Sequence, residues 1–258
     1  MTDFLGFPAD CAVVVTGAGS GIGEAAALTA GRLGLKVAAW DLSPDAAART
    51  AQAIADQGGT AVGIGGDMAD ADAVQAAWEQ TTHAFGPVAC LLAAAGPPSF
   101  GDRSFMEGVN QAIDCMRLPT DIWLEQPDPS SRAAVYLSSV QGPRYGAGNP
   151  WYTVAKSAID GYMRSTAAMR PGGIRANAIL PDWIATPRTA DYIAATGGEE
   201  WDANPMGRVG HAQDIANAAL FLLSPAAGYI NGVSLEVDGG ARLRSLAWMR
   251  MRDSTSTG

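Results

Sequence analysis

The chain predicts an α/β fold, a doubly wound parallel sheet of about seven strands with helices on both faces. Three observations predict it. Short apolar runs alternate with longer Ala-rich amphipathic segments from one end to the other. The runs are short and mostly apolar, as buried strands require. No Pro/Ser-rich linker and no internal repeat interrupts the 258 residues, so the expectation is one domain over 1–258.

The elements follow in order. Apolar runs at Ala12–Thr16, Val37–Trp40, Ala61–Gly65, Val88–Ala93, Ala133–Ser138, Arg175–Leu180 and Val233–Val237 read as strands. Amphipathic segments at Ile22–Leu33, Pro44–Gln57, Ala71–Phe85, Phe105–Leu118, Trp151–Met169 and Ala212–Leu223 read as helices. Strand–helix alternation with right-handed crossovers makes the sheet parallel and doubly wound. The "QPDPSSR" of Gln126–Arg132 is a turn before a strand, and Thr186–Met206 is polar and poorly periodic, a short helical excursion or a lid.

Composition narrows the function. Hydrophobic residues make up 48% of the chain, ample for a large core. The net charge of −9 argues against nucleic-acid partners, whose counterions must be displaced by protein cations. Cys11, Cys90 and Cys115 are far apart and form no CxxC pair, so they read as buried free thiols in a reducing compartment. His83 and His211 lack ligand spacing, and no metal site is expected. No apolar run reaches the roughly 18 residues of a membrane span, and no basic, apolar leader opens the chain. The expectation is a cytoplasmic protein.

After the first strand come Gly17, Ala18, Gly19, Ser20, Gly21, Ile22 and Gly23, then a helix. Glycines there permit a tight turn and a close backbone approach to pyrophosphate, and the helix N-terminus offers unpaired N–H groups. Strand, glycine turn and helix together read as a dinucleotide site of Rossmann type. Asp41, followed by Leu42, ends the second strand about twenty residues on, where an acid accepts from both adenosine ribose hydroxyls and repels a 2′-phosphate. No Lys or Arg in the turn or directly after Asp41 neutralises such a phosphate, so NAD is expected rather than NADP. The alternative for Asp41 is a role in the next turn, where Ser43 can cap the following helix. Asp67, followed by Met68, ends the third strand and suits the adenine amino group or a helix cap.

The fifth strand ends in Ser138-Ser139; Tyr152 lies thirteen residues beyond Ser139, and Lys156 four beyond Tyr152. Residues i and i+4 share a helix face, so phenol and ammonium project together toward the crevice at the strand ends. A phenol titrates near pH ~10, and a nearby cation lowers that value. Tyr152 can then exchange a proton with a substrate hydroxyl while Ser139 holds the oxygen. The chain has only two lysines, Lys36 and Lys156, which sharpens the choice of Lys156. By itself YxxxK also fits an amphipathic helix with a snorkelling lysine.

TGAGSGIG, Asp41, Asp67, Ser139 and Tyr152-x-x-x-Lys156 together resemble the short-chain dehydrogenase/reductase family, from about Cys11 to Gly240. Ile174–Pro181, Ile184-Ala185-Thr186-Pro187, Pro205–Gly210 and the closing "VDGG" resemble further family signatures. The resemblance implies hydride transfer between an alcohol and a nicotinamide cofactor, with Lys156 also gripping the nicotinamide ribose. It implies a fourth catalytic residue, Asn110, and further cofactor contacts from Ala94, Ala95, Gly96, Pro181, Trp183, Ile184 and Thr186. It also implies a homo-oligomer, tetramer or dimer.

Three features depart from the family pattern. Ala93-Ala94-Ala95-Gly96 replaces Asn-Asn-Ala-Gly, Gly96 and Asn110 are only 14 residues apart, and Asp182-Trp183 follows Pro181 in place of Gly. By position, Gln141, Tyr145, Trp151, Trp183, Ile184 and Met206 are expected to wall the substrate pocket. That wall suits a bulky apolar secondary alcohol or its ketone, cyclic, aromatic or steroid-like, as in the bacterial hydroxysteroid dehydrogenase/carbonyl reductases the chain resembles. The alternatives are a cis-dihydrodiol, sugar or polyol dehydrogenase and, in another class, a dinucleotide-binding regulatory protein without turnover. The tail 241–258 mixes apolar and basic residues and is expected to pack on a neighbouring subunit, a frayed terminus being the alternative.

Overall fold

The computed structural model describes residues 4–100, 102–126, 132–144, 146, 149–169, 173–196 and 204–243. In chain order these form β1 (Ala12–Thr16), α1 (Gly21–Arg32), β2 (Lys36–Asp41), α2 (Pro44–Asp56), β3 (Thr60–Gly65) and α3 (Ala71–Phe85). Then come β4 (Cys90–Ala93), α4 (Phe105–Glu125), β5 (Arg132–Leu137), α5 (Pro150–Met169) and β6 (Ile174–Pro181). The chain continues through the two-residue β7 (Ile184–Ala185), α6 (Ala190–Ala195), β8 (Gly210–His211), α7 (Ala212–Leu223) and β9 (Ser234–Val237).

Seven strands form one sheet in the order β3-β2-β1-β4-β5-β6-β9. Every pairing in it is parallel. The order reverses between β1 and β4, and such a switch point opens a crevice at the carboxyl ends of the strands. β7 and β8 form a separate parallel pair beside it.

The pleat of β1 explains the two layers. Val13 and Val15 face a core completed by Ala26, Ala27 and Ala30 of α1 and Ile215, Ala219 and Leu220 of α7. Val14, between them, faces the opposite core, with Val74 and Trp78 of α3, Met116 and Trp123 of α4, and Ile159 and Met163 of α5. The three valines are fully buried, each worth up to about 1.5–3 kcal/mol relative to exposure. Small residues let α1 sit close to the sheet.

Local chemistry sets the helix starts. Ser43 accepts from the Ala46 N–H (3.3 Å) and Asp70 from the Ala73 N–H (2.9 Å). Ser104 and Glu107 form a reciprocal capping box at the start of α4. The α4 helix runs through Pro119 to Glu125, well past the Leu118 boundary expected from sequence. Pro119 lacks the N–H that would bond the Cys115 carbonyl, and proline in a helix interior costs ~3 kcal/mol. Burial of Met116, Pro119, Thr120 and Trp123 against the sheet offsets that cost.

Cys11 and Cys90 touch across the first and fourth strands, Sγ to Sγ 4.0 Å, and all three cysteines are free and buried. No described helix is long and apolar enough to cross a membrane. Residues 244–258, most of the tail, lie outside the described residues; Ala241–Leu243 form a 3-10 turn.

Candidate active site

The crevice at the switch point is a cleft of ≈ 480 Å³, bounded by the carboxyl ends of β1 to β6. One half is made of backbone. Gly17 has φ +68°, and a Cβ there would lie 3.0 Å from the Ala95 Cα. A Cβ on Gly23 would lie 2.0 Å from the Gly17 carbonyl oxygen, so the turn and the first helical residues close only with glycine. Ser20 stands at the N-cap of α1, but its side chain makes no capping bond, which leaves helix N–H groups for an anion. Gly21, with φ +58°, lies under Thr186: an added Cβ would be 3.2 Å from the Thr186 methyl group. The bare cradle and its N–H donors fit a dinucleotide pyrophosphate.

Asp41 is fixed at the end of β2. Its Oδ2 accepts from the Gly19 N–H (2.8 Å) and its Oδ1 from the Ser43 N–H (2.9 Å). Asp67 accepts from the Ala69 N–H (2.9 Å) and faces the cleft beside Met68, whose side chain is buried. Leu42 is exposed at the mouth. The amides absent from Ala93-Ala94-Ala95-Gly96 are replaced from the neighbouring strand. The Thr16 hydroxyl, fully buried, accepts from both Ala94 and Ala95 N–H groups at 3.0 Å. Thr16 opens the glycine motif, so this partner was visible in the sequence, and sequence reasoning passed over it.

The other half is made of side chains. Ser139 lies in the loop after β5 and Tyr152 and Lys156 one turn apart on α5, all lining the cleft. The loop is tied by the Gln141 N–H donating to Ser139 Oγ (3.1 Å) and the Gln141 amide to Thr153 Oγ1 (3.3 Å). Lys156 is buried and its Nζ donates to the Leu137 carbonyl (2.8 Å), while Ser138 Oγ donates to the Lys156 carbonyl (2.9 Å). Its ammonium lies 5.5 Å from the centre of the Tyr152 ring.

Electrostatics here differ from the simple sequence expectation. Burial pushes the Tyr152 phenol up; a hydrogen bond from Ser139 and then the charge of Arg188 pull it back. Burial first, and Arg188 second, lower the Lys156 ammonium to about 8. Lys156 stands over the ring face, and Arg188 adds a second cation whose charge lowers the phenol. Sequence reasoning missed Arg188, although it lies two residues after Thr186.

Several expected residues sit elsewhere. Asn110 is exposed on α4, whose buried stripe runs through Gly108, Val109, Ala112, Cys115 and Met116. The α4 side chains that line the cleft are Gln111 and Cys115. Cys115 and Lys156 are near enough to influence each other's ionisation, and burial pushes the thiol up to about 12. The family resemblance put the fourth position one residue off the cleft. The apolar stripe of α4 would have pointed to Gln111 and Cys115.

Trp151 is only 2% exposed and packs between α4 and α5, edge-on to Tyr152 at 5.8 Å. Gly108 makes room for it, since a Cβ there would lie 2.3 Å from the indole. It therefore supports the catalytic helix and does not wall the pocket. Met206 lines a smaller neighbouring cavity with Trp183 and Ile184. Trp183 and Ile184 also reach the main cleft, as do Gln141, Pro181, Ala94, Ala95 and Gly96, and Trp183 stacks on Tyr192 at 4.1 Å. Tyr145 lies outside the described residues. No cluster of three or more potential metal ligands occurs among the described residues.

A dinucleotide cradle facing a Ser–Tyr–Lys group defines a nicotinamide-dependent oxidoreductase of α/β architecture. A family model described as "Enoyl-(Acyl carrier protein) reductase" matches residues 17–242. L-rhamnose 1-dehydrogenase (NAD(P)(+)) of Azotobacter vinelandii is 34% identical over 90% of this chain and 96% of its own. The 2,5-dichloro-2,5-cyclohexadiene-1,4-diol dehydrogenase LinX of Sphingobium indicum is 33% identical over 88% and 94%. The crystal structure of levodione reductase superposes with a TM-score of 0.82 and 30% identity, covering 92% of this chain and 99% of that one. The chain belongs to the short-chain dehydrogenase/reductase family and is an oxidoreductase acting on alcohols.

Proposed function

We propose that the protein is an NAD-dependent dehydrogenase of a polar, hydroxylated secondary alcohol, such as a cyclic diol, sugar or polyol, and reduces the matching ketone in reverse. One observation carries the substrate reading. Gln111, Gln141, Arg103 and Arg188 line the cleft that holds Tyr152, beside apolar Pro97, Pro98, Phe100 and Trp183, while Trp151 and Met206 are withdrawn from it. The named activities of the rhamnose and cyclohexadiene-diol dehydrogenases are in keeping with it. An apolar cyclic alcohol is the second reading, favoured by the stacked Trp183–Tyr192 pair at the edge of the cleft.

The glycine turn and the N-terminus of α1 would hold the pyrophosphate, and Lys156 with Tyr152 would hold the nicotinamide ribose. Bound there, the nicotinamide supplies two-electron chemistry by accepting or giving a hydride. Ser139 positions the substrate oxygen by a hydrogen bond. Tyr152 takes the hydroxyl proton during oxidation and returns it during reduction. Asp41 supports NAD over NADP, since its charge stands where a 2′-phosphate would come and the cations of the cleft are Lys156, Arg103 and Arg188. Exposed Phe105 and Met106 on α4 and Val154 on α5 support a homo-oligomer. A regulatory role without turnover fits the site less well, because Ser139, Tyr152 and Lys156 are all present in the cleft.

The test is NADH absorbance with diols, sugars, polyols and apolar cyclic alcohols, each with NAD and with NADP. Turnover of hydroxylated substrates with NAD is expected. Oxidation confined to apolar alcohols would replace the first reading by the second.

A further inference from the structure

The catalytic half of the cleft carries more positive charge than proton transfer requires. Five arginines elsewhere, Arg117, Arg144, Arg164, Arg208 and Arg242, are paired with carboxylates. Arg188 has no ion pair among the described residues. Its Nη2 donates to the Gly96 carbonyl (3.1 Å), and its side chain lines the cleft. A guanidinium has five N–H donors in a planar fork, so that single bond leaves most of them for another acceptor.

The position of Arg188 is built. The Thr189 hydroxyl donates to the Ile184 carbonyl (2.6 Å) and accepts from the Thr186 N–H (3.1 Å). The Thr189 N–H returns to the Thr186 carbonyl (3.0 Å), closing the turn that carries Arg188. It lines the same cleft as Tyr152 and Lys156, and its charge acts on both. Arg103 adds a second cation on the connection between β4 and α4, its Nε donating to the Gln111 amide oxygen (3.2 Å). Glu107 offsets part of the Arg103 charge. Of the carboxylates lining the cleft, Asp41 and Asp67 are engaged by backbone N–H groups, and Asp182 lies beside Trp183.

We propose that Arg188, assisted by Arg103, is a specificity residue that binds a carboxylate on the substrate, so that the alcohol oxidised is a hydroxy acid. The inference rests on the alcohol-dehydrogenase reading and names the substrate class for that site. The carboxylate and the carbinol carbon belong to one small molecule, because Arg188 and Tyr152 line the same cleft. Arginine suits the task, since its fork meets both carboxylate oxygens at once. An anion between Arg188 and Lys156 also relieves the repulsion that lowers the lysine, and so holds Lys156 in its cationic form. At the cofactor's other end, Asp41 leaves Arg188 no 2′-phosphate to neutralise.

The test compares 3-hydroxycyclohexanecarboxylate with its primary amide, using NAD and the full chain. A cyclohexyl alcohol bearing a phosphate in place of the carboxylate is the third substrate. The acid is expected to show a KM lower than the amide by about tenfold or more, as one hydrogen bond to a charged group allows. Arg188→Gln should erase that difference in KM, and Arg188→Lys should restore part of it. NADH affinity, read by fluorescence, should stay within about threefold of wild type, less than one hydrogen bond to a charged group is worth. Cyclohexanecarboxylate, which cannot be oxidised, should bind the enzyme–NADH complex in calorimetry, and Arg188→Gln should abolish this.

Equal KM values for acid and amide would overturn the inference while leaving the dehydrogenase intact. Preference for the phosphate over the carboxylate would overturn it too. So would a tenfold loss of NADH affinity in Arg188→Gln with acid and amide affected alike, which makes Arg188 a cofactor clamp. If none of the three alcohols is oxidised yet cyclohexanecarboxylate binds through Arg188, the anion subsite stands and the dehydrogenase reading fails.

Discussion

The two halves of the cleft are built by different means. The cofactor half, from β1 through α1 to β2, is a surface of backbone: glycines, helix N–H groups, and an aspartate held by two of those groups. The substrate half, from β4 through α5 and on to Arg188, is a surface of side chains carried on loops and two helices. A backbone surface tolerates almost no substitution, since an added Cβ at Gly23 would sit 2.0 Å from a carbonyl oxygen. A side-chain surface can change residue by residue while the fold stands. The first half is therefore common to any dinucleotide and the second is where substrate choice resides.

The largest expected effect is confined to the second half. Tyr152→Phe removes the proposed proton carrier and should lower kcat by about 10²–10⁴-fold. NADH binding should barely change; single-turnover and fluorescence measurements separate the two. Retained turnover would show that the halves are not divided in this way.

Thr16→Val tests the seam between them. It leaves the half-buried N–H groups of Ala94 and Ala95 without their acceptor, at a cost of up to about 1–3 kcal/mol. Urea unfolding should show that loss and Thr16→Ser should recover most of it. No loss in Thr16→Val would mean that this joint between β1 and β4 is not needed.

Asp41→Asn works within the first half. It removes charge but keeps an oxygen for the N–H groups of Gly19 or Ser43. NADP should gain about tenfold relative to NAD, roughly 1.4 kcal/mol, with substrate preference unchanged in a comparison of kcat/KM. A shift in substrate preference instead would blur the boundary between the halves.

The smallest effect is on stability. Lys156 titrates at about 8 in the folded protein because it is buried, against 10.5 for a free lysine. Between these values the unfolded chain binds more protons than the folded one, so stability contributed by this group rises with pH across that window. Below about 8 both states are charged and the folded one bears the full desolvation cost. Lys156→Met should be inactive yet more stable than wild type at pH 7, and the gap in melting temperature should narrow toward pH 10. A gap that widens would mean that the ammonium is favourably held.

Much of the fold was legible because its signals are local and periodic. The Ala12–Thr16 strand was located to the residue, and the other strands of the main sheet to within a few residues, from apolar runs alone. The α4 helix overran its expected end because tertiary burial outweighed a proline, a cost that short-range pattern cannot weigh. In the site, the glycine turn, Asp41, Ser139, Tyr152 and Lys156 could be picked out because each is tied to an element end or to helical spacing. Asn110 and Trp151 were misplaced because one residue of helix rotation, about 100°, decides whether a side chain meets cleft, core or solvent.

The sequence by itself determined the strand order's ingredients, the glycine turn and the helical spacing of Tyr152 and Lys156. These depend on backbone conformation and on neighbours within one turn of helix. Only the tertiary structure decided that Thr16 replaces the missing amides, that Trp151 supports and does not line the pocket, and that Arg188 lines the same cleft as Tyr152. Each of those depends on segments far apart in the chain, brought within a few ångströms by packing against one sheet. Their partners carry no sequence spacing that could announce them.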